Sequence, residues 1–293
     1  MRTMDLAALR VFKTVVEEGG IVAAAKKLHR VQSNVTTRVK QLEASLGTNL
    51  FIRKKKRLHL SPAGELFLKY AEQLLDLSEQ ARAAVASDEP RGVLRLGTLE
   101  STAASRLPPL LSRFHDKYPA VRIELTTGTA DALVDAVLER RVEAAFVADC
   151  QVRDQLEVVP AFSEELVLIA PRSHPRIRRA QDVRADTIIS FPSGCAYRRH
   201  LQAWLATGGV VPDKALDLSS YHAIVACVAA GTGIAFAPRS VLQTVSAAEA
   251  VAVYPLKDKP LIQTSLVWRK GESSRALQAL RSELSTPNGR RRG

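Results

Sequence analysis

Leu6, Leu9, Phe12, Val15 and Val16 recur at helical spacing, which predicts a first helix from about Asp5 to Glu18, ended by Gly19-Gly20. Ala23, Ala24 and Ala25 belong to a short second helix whose small side chains let a neighbour approach closely. Val35, Val39, Leu42 and Leu46 then fall at i, i+4, i+7 and i+11. That spacing predicts one buried stripe on a longer helix, opened by Val31-Gln32-Ser33 and closed by Gly47 as a C-cap. Its other side carries Ser33, Thr37 and Lys40, flanked by Asn34 and Thr36. Short hydroxyl, amide and cationic groups are what a helix lying in a major groove needs to reach base edges and phosphates. Phe51 and Leu58/Leu60 can anchor a strand pair around Arg53-Lys54-Lys55-Lys56-Arg57, which makes that run a basic ribbon for phosphates. An ordinary helical hairpin with a solvated basic face is the alternative, but helix, turn, stripe and ribbon occur here in the order a DNA-reading head requires.

Pro62 suits a helix start, where its missing N–H costs nothing. From there Ala63, Phe67, Tyr70, Leu74, Leu77, Ala81 and Ala84 alternate steps of four and three, a heptad seam that favours pairing with a second helix, although Leu66 and Leu75 broaden it. Ser87 to Gly92 is polar and helix-breaking, a hinge. Beyond Val93 strand and helix patterns alternate. Strands are expected at Val93–Leu99, Val121–Thr127, Val142–Val147, Leu166–Ala170, Thr187–Phe191, Ile234–Ala237 and Leu261–Trp268. Helices are expected at Leu107–Tyr118, Asp131–Arg140, Ala196–Ala206 and Tyr221–Ala230. Such alternation with short connections argues for parallel sheets covered by helices, in two subdomains with a cleft between them.

Charge sharpens the division. The 293 residues carry a net charge of +12, and residues 1–60 supply thirteen Lys/Arg against four Asp/Glu, or +9. So uneven a distribution favours a polyanion on the N-terminal part. No apolar run is long enough to span a membrane, and the N-terminus lacks a signal-peptide pattern, so the expected location is the cytoplasm, on the nucleoid, with no membrane partner. Met4 is a second candidate start. Cys150, Cys195 and Cys227 are odd in number and far apart, with no ligand spacing around them; no disulfide framework, metal site or cofactor is expected. Pro287 to Gly293 reads as a disordered basic tail.

The chain resembles the LysR-type transcriptional regulators. The N-terminal match runs through Leu9, Phe12, Ala24-Ala25, Leu28, Gln32-Ser33, Val35-Thr36, Leu42-Glu43, Leu46-Gly47, Leu50-Phe51, Arg53 and Leu60-Ser61-Pro62-Ala63-Gly64. The resemblance implies a winged helix-turn-helix at 1–61, a linker or dimerisation helix at 62–89 and an effector-binding domain at 90–293. That last part would be periplasmic-binding-protein-like, with two α/β lobes, lobe I at about 90–161 and 267–286 and lobe II at about 162–266. It also implies crossings between lobes near Pro160–Glu165 and Gln263–Val267. In the head it implies base or phosphate contact by Gln32, Ser33, Thr36 and Thr37, and backbone or minor-groove contact by Arg53. The chain departs from the family at Val22, where a capping Ser or Thr is usual, and at Val31. It departs again at Thr37, where an Arg is common and Arg38 follows instead. Asn34, Arg38, Lys40 and the ribbon cations Lys54, Lys55, Lys56 and Arg57 complete the expected DNA-binding set. Implied partners are double-stranded DNA with inverted half-sites, a small-molecule effector, and further copies of the chain in a homodimer that extends to a homotetramer.

Ligands in such folds sit at the carboxyl ends of strands. Three stretches have that position: Glu100-Ser101-Thr102, Thr127-Gly128-Thr129, and Pro192 to Arg199, with Ser193, Gly194, Cys195, Tyr197 and Arg198 as contacts for a small polar or anionic effector. The alternatives are that each Ser or Thr only caps a helix and that Arg198 is solvated or bridges the lobes. The stretches ESTAA, CAYRRH, SYH, ACVAAGTGIA and LVWRKG resemble a subgroup linked to polyamine and amino-acid breakdown. Two other function classes remain to be weighed. A solute-binding or sensor protein would use the same C-terminal fold, but the fused basic head and missing export pattern argue against it. An enzyme could place Cys195 at a helix start, with His200 or His222 as base, but no partner spacing fixes that pair.

Overall fold

The computed structural model describes residues 4–54, 57–86, 89–150, 153–185, 187–256 and 261–285, in two compact units, Met1–Asp88 and Glu89–Gly293. The first unit contains α1 (Leu6–Glu17), α2 (Ile21–Lys27), α3 (Gln32–Leu46), the antiparallel pair β1 (Phe51–Lys54) and β2 (Arg57–Leu60), and α4 (Pro62–Ala86). Asp5 starts α1 by accepting the Ala8 N–H at 2.6 Å. Two faces of α1 carry two small cores. Val11 and Val15 pack with Ala24, Ala25, Val35 and Val39, so α2 and α3 are held on one side. Leu9 and Phe12 pack with Leu42, Leu50, Ala71 and Leu75 on the other, where the Phe12 ring meets Phe51 and Phe67 at 5.4 and 5.3 Å. The α3 stripe is therefore shorter than its spacing predicts. Val35, Val39 and Leu42 are buried, but Leu46 is 38% exposed, because Gly47 turns the chain away in the left-handed conformation (φ 69°).

Polar groups lock the exit from α3. The Glu43 carboxylate accepts the N–H groups of Leu50 (2.8 Å) and Phe51 (3.1 Å), fixing the entry to β1. Ser61 donates its hydroxyl to the Asn49 carbonyl at 2.6 Å and accepts the Gly64 N–H at 3.0 Å, which starts α4 against the same loop. A Cβ on Gly64 would lie 2.1 Å from the Leu50 carbonyl oxygen, so only glycine permits that approach.

α4 carries two apolar stripes. Gly64, Ala71 and Leu75, which lie off the expected heptad seam, are buried in the unit's own core, with the seam residue Phe67 half-buried beside them. Leu66 (58% exposed), Tyr70 (56%), Leu74 (38%) and Leu77 (55%) form a separate apolar stripe on the solvent side.

The second unit begins with β3 (Gly92–Thr98), α5 (Glu100–Ser105), α6 (Leu107–Lys117), β4 (Val121–Thr127), α7 (Ala130–Leu138) and β5 (Ala144–Ala148). It continues through the long β6 (Leu156–Pro171), β7 (Thr187–Ser190), α8 (Ala196–Ala206), β8 (Lys214–Asp217) and α9 (Tyr221–Ala229). It closes with β9 (Ala235–Pro238), α10 (Arg239–Leu242), β10 (Val251–Pro255), β11 (Leu261–Arg269) and α11 (Arg275–Ser285). Strand order in the main sheet is β10-β6-β11-β5-β3-β4, with β9 also on β6 and β7-β8 as a separate pair. β6 changes partners within its length: Leu156–Glu165 pairs with β11, whereas Leu166–Pro171 pairs with β9 and β10. Two lobes result, one on each half of β6.

The sheets are mixed, where strand–helix alternation predicted parallel ones. β3 runs parallel to β4 and β5, and β7 to β8, but β11 is antiparallel to β5 and β6, and β6 is antiparallel to β9 and β10. The reason is that β6 leaves the first lobe and β11 returns to it, so they run in opposite senses side by side. Leu94, Leu96, Phe146, Leu266 and Trp268 lie under α6 and α11 on one sheet face, and Arg281 stacks over Trp268 at 4.1 Å. The other face and the second lobe share a continuous core that includes Leu133, Val137, Val147, Leu168, Ile189, Leu201, Val225 and Phe236.

Candidate DNA-reading face and ligand cleft

On α3, Gln32, Ser33, Asn34, Thr37 and Lys40 are exposed. Ser33, Thr37 and Lys40 face away from the Val35–Val39–Leu42 stripe, Asn34 flanks it, and Gln32 is exposed as the first residue of the helix, at one end of the stripe's own side. Val31 precedes the helix with no side-chain cap, so the first-turn N–H groups of this 15-residue helix have no side-chain acceptor there. Uncapped first-turn amides and the positive end of the helix dipole suit a phosphate. α2 likewise starts without a side-chain cap, at Gly20, and Val22 is 53% exposed. Two expected contacts are modified. Thr36 donates its hydroxyl back to the Gln32 carbonyl at 2.9 Å, which leaves it only acceptor capacity. Arg38 turns toward α1 and pairs with Asp5 at 3.0 Å, so its guanidinium braces the head and is not a free base reader. The β1–β2 register sets Arg53 opposite Leu58 and Lys54 opposite Arg57, which makes the ribbon a hairpin. Lys55 and Lys56, between its strands, lie outside the described residues.

In the second unit, the carboxyl end of β3 and the start of α5 bring Glu100, Ser101 and Thr102 toward Tyr197 on α8. The hydroxyls of Ser101, Thr102, Tyr197 and Thr264 are all buried, and none has a hydrogen-bond partner among the described residues. Ser101 and Thr264 stand close enough to Tyr197 to lower its pKa, without reaching hydrogen-bond geometry; burial outweighs them and pushes the phenol well above its ordinary value. One Glu100 oxygen accepts the Tyr221 N–H at 3.3 Å, and the other is buried and unpartnered. Burial raises the Glu100 pKa, against the lowering effects of that bond and of His222. Leaving buried polar atoms unpaired costs about 1–3 kcal/mol each, so such a group of atoms is the signature of a site built for something else to fill.

Around it lie groups that the sequence did not single out. Arg106 makes two bonds to the buried Glu164, at 2.6 and 3.0 Å, and Ser240 donates to the same carboxylate at 2.6 Å. That bonding raises the Arg106 pKa further. Arg239 grips Glu165 at 2.9 and 3.1 Å. Glu164 and Glu165 stand where β6 changes partners, and nothing in the local pattern of an apolar strand announces a buried ion pair. Thr264 was missed for a similar reason, as one small polar residue inside a strand. His200 bonds Asp149, while Arg199 approaches Asp131 at 3.9 Å.

Several expected ligand contacts point elsewhere. Thr127 and Ser193 are exposed. Gly128 packs against Leu133, and Gly194 lies against Thr129 and Asp131 at the start of α7. Arg198 is occupied by Asp217 at 2.6 Å and by the Phe191 carbonyl at 3.3 Å, because β8 runs beside β7 and delivers the acid. Cys195 is buried and its thiol pKa is raised by that burial, the reverse of what its place at a helix start suggested for a nucleophile. Among the described residues, no three His, Cys, Asp or Glu groups converge to hold a metal, and no helix is long and apolar enough to cross a membrane.

Residues 6–65 match the bacterial regulatory helix-turn-helix protein, lysR family, and residues 87–286 match the LysR substrate binding domain. Among curated relatives, the chain is 39% identical over 270 residues to the uncharacterized HTH-type transcriptional regulator YusT of Bacillus subtilis, covering 91% of this chain and 90% of that one. It is 37% identical over 269 residues to the HTH-type transcriptional regulator GltR of the same organism, covering 91% of each. Full-length CbnR, solved in complex with its target DNA, superposes with a TM-score of 0.75 at 26% identity, over 96% of this chain and 99% of that chain. The helix-turn-helix with its wing, the two-lobed periplasmic-binding-protein-like domain and these full-length matches establish that the chain belongs to the LysR family of DNA-binding transcriptional regulators.

Proposed function

We propose that the chain reads inverted promoter half-sites through Gln32, Ser33, Asn34, Thr37 and Lys40 of α3, with Thr36 as an acceptor. Arg53, Lys54, Lys55, Lys56 and Arg57 of the wing would lie on phosphates. The observation that carries this reading is the division of α3 into a buried apolar stripe and an uncapped, exposed polar face. Two copies joined along Leu66, Tyr70, Leu74 and Leu77 of α4 present two heads, matching the two-fold symmetry of an inverted repeat, and pairs of dimers form the tetramer. CbnR, the structural relative solved on target DNA, supports the mode of binding. The protein works in the cytoplasm on the nucleoid and catalyses no reaction. A small polar effector in the cleft beside Glu100, Ser101, Thr102, Tyr197 and Thr264 binds one lobe arrangement better than the other, and that difference in affinity is the leverage on promoter occupancy.

Binding of a promoter fragment measured across a salt series tests the head. Lys40 reaches the phosphates beside the half-site, so Lys40→Ala should weaken binding to all sequences alike and reduce the slope of log K against log salt by about 1. Gln32→Ala should leave the slope nearly intact and narrow the gap between specific and random DNA. Equal loss on both DNAs for Gln32→Ala would remove Gln32 from the base-reading set.

A further inference from the structure

The cleft also carries information about the chemistry of its ligand, if it is the effector site as proposed above. The buried orphan atoms there are four neutral hydroxyls and one carboxylate oxygen: Ser101, Thr102, Tyr197, Thr264 and Glu100 Oε2. Tyr221 ties them together, since its N–H bonds Glu100 and its side chain lies within electrostatic reach of both Tyr197 and Glu100. A carboxylate ligand would need a cation or a set of fixed N–H donors. The arginines nearby are committed: Arg106 is held in a two-bond pair by Glu164, Arg239 by Glu165, and Arg198 by Asp217. α5 offers no compensation, since it has only six residues and an acid in its first turn. An incoming anion would instead meet Glu100. His222, exposed on the first turn of α9, lowers the Glu100 pKa only as the least of three influences, behind burial and the Tyr221 N–H.

We infer that the ligand of this cleft presents an ammonium group, bound by the free oxygen of Glu100 and oriented by the hydroxyls of Ser101, Thr102, Tyr197 and Thr264. An ammonium has three N–H donors and no acceptor, so it complements one carboxylate oxygen and hydroxyl lone pairs. Its bond to Glu100 is charge-assisted, and therefore short and strong. The same pairing would lift the burial penalty that now raises the Glu100 pKa. The residues at the strand ends predict a polar or anionic ligand; the occupied arginines and the idle carboxylate oxygen reverse the sign.

Calorimetric titration of the full-length protein with 3-amino-1-propanol, 1,3-propanediol and 3-hydroxypropionate tests this, since the three differ in one end group. The amine should bind at least tenfold more tightly than the diol or the acid. Glu100→Gln keeps an oxygen for the Tyr221 N–H, and should fold normally by circular dichroism while losing at least tenfold in amine affinity. Thr264→Val should weaken whichever probe occupies the cleft. Amine binding indifferent to Glu100→Gln overturns the assignment. Preference for the acid or diol, sensitive to Thr264→Val, overturns the ammonium while leaving the cleft as the effector site. Absence of binding by all three at 10–20 mM, roughly the weakest useful range for ligands this small, overturns both.

Discussion

Single residues decide how the reading head is held together. Gly64, Ser61 and Glu43 all fasten the loop between α3 and the wing, and each acts on the backbone around Leu50. Gly64→Ala would drive a methyl into the Leu50 carbonyl, a backbone atom that cannot swing aside. Overpacking of this kind costs about 1–3 kcal/mol, so the variant should melt several degrees lower and lose promoter affinity with it. An unchanged melting temperature would mean that the approach of α4 to this loop is looser than 2.1 Å implies. The motif around Gly64 was legible in the sequence as part of a family pattern, but its physical reason was not. Glu43 is part of the same family pattern; its role as an acceptor for two amides depends on a loop seven residues further on. Arg38 shows the same limit, because its partner Asp5 lies 33 positions away in sequence.

Whole elements were more legible than their contacts. The periodicity of α1, α3 and α4 gives their extents nearly to the residue, since a repeating apolar step is a local property. The first half of β6 escaped, because Pro160, Ser163, Glu164 and Glu165 interrupt the apolar run expected of a buried strand. On α4 the sequence showed one seam where the structure shows two stripes, and adjacent substitutions separate them. Leu75→Ala empties a buried site and should cost about 2–5 kcal/mol of stability. Leu77→Asp alters an exposed side chain, so the melting temperature of the single unit should hold while sedimentation shows dimers giving way to monomers. If Leu77→Asp leaves the oligomer intact, the exposed stripe is not the pairing surface. Glu143, immediately before β5, provides a pH test of the entry to α11: its carboxylate accepts the Ser274 N–H at 2.8 Å, and burial raises its pKa. A carboxyl raised in the folded state binds its proton more tightly there than when unfolded. That contribution is full below the unfolded value of about 4.3 and is lost as pH rises through the folded pKa. Glu143→Gln should therefore gain stability relative to the parent in denaturant titrations as pH rises from about 4; a constant difference would remove the burial effect.

The whole molecule is a basic DNA-reading unit joined to a two-lobed ligand-binding unit, with +9 of its +12 charge in the first 60 residues. That asymmetry, the alternating strands and the seam made the general organisation legible before any coordinates. The composition of the cleft was legible only in part, since it draws on Glu100, Tyr197, Tyr221 and Thr264, positions up to 164 residues apart that a sheet and two helices bring together. Glu100 and Tyr197 could be guessed from their places after strands; the occupied state of Arg198 could not. Selection of bound fragments from random double-stranded DNA asks whether α3 reads sequence as one of two symmetric heads. The recovered sequences should share an inverted repeat with half-sites about 10 base pairs apart, or a multiple of that spacing, and the shared sequence should disappear with Gln32→Ala. Retained fragments with no common sequence, bound in proportion to length and released by salt, would make the head a generic basic patch and not a sequence reader.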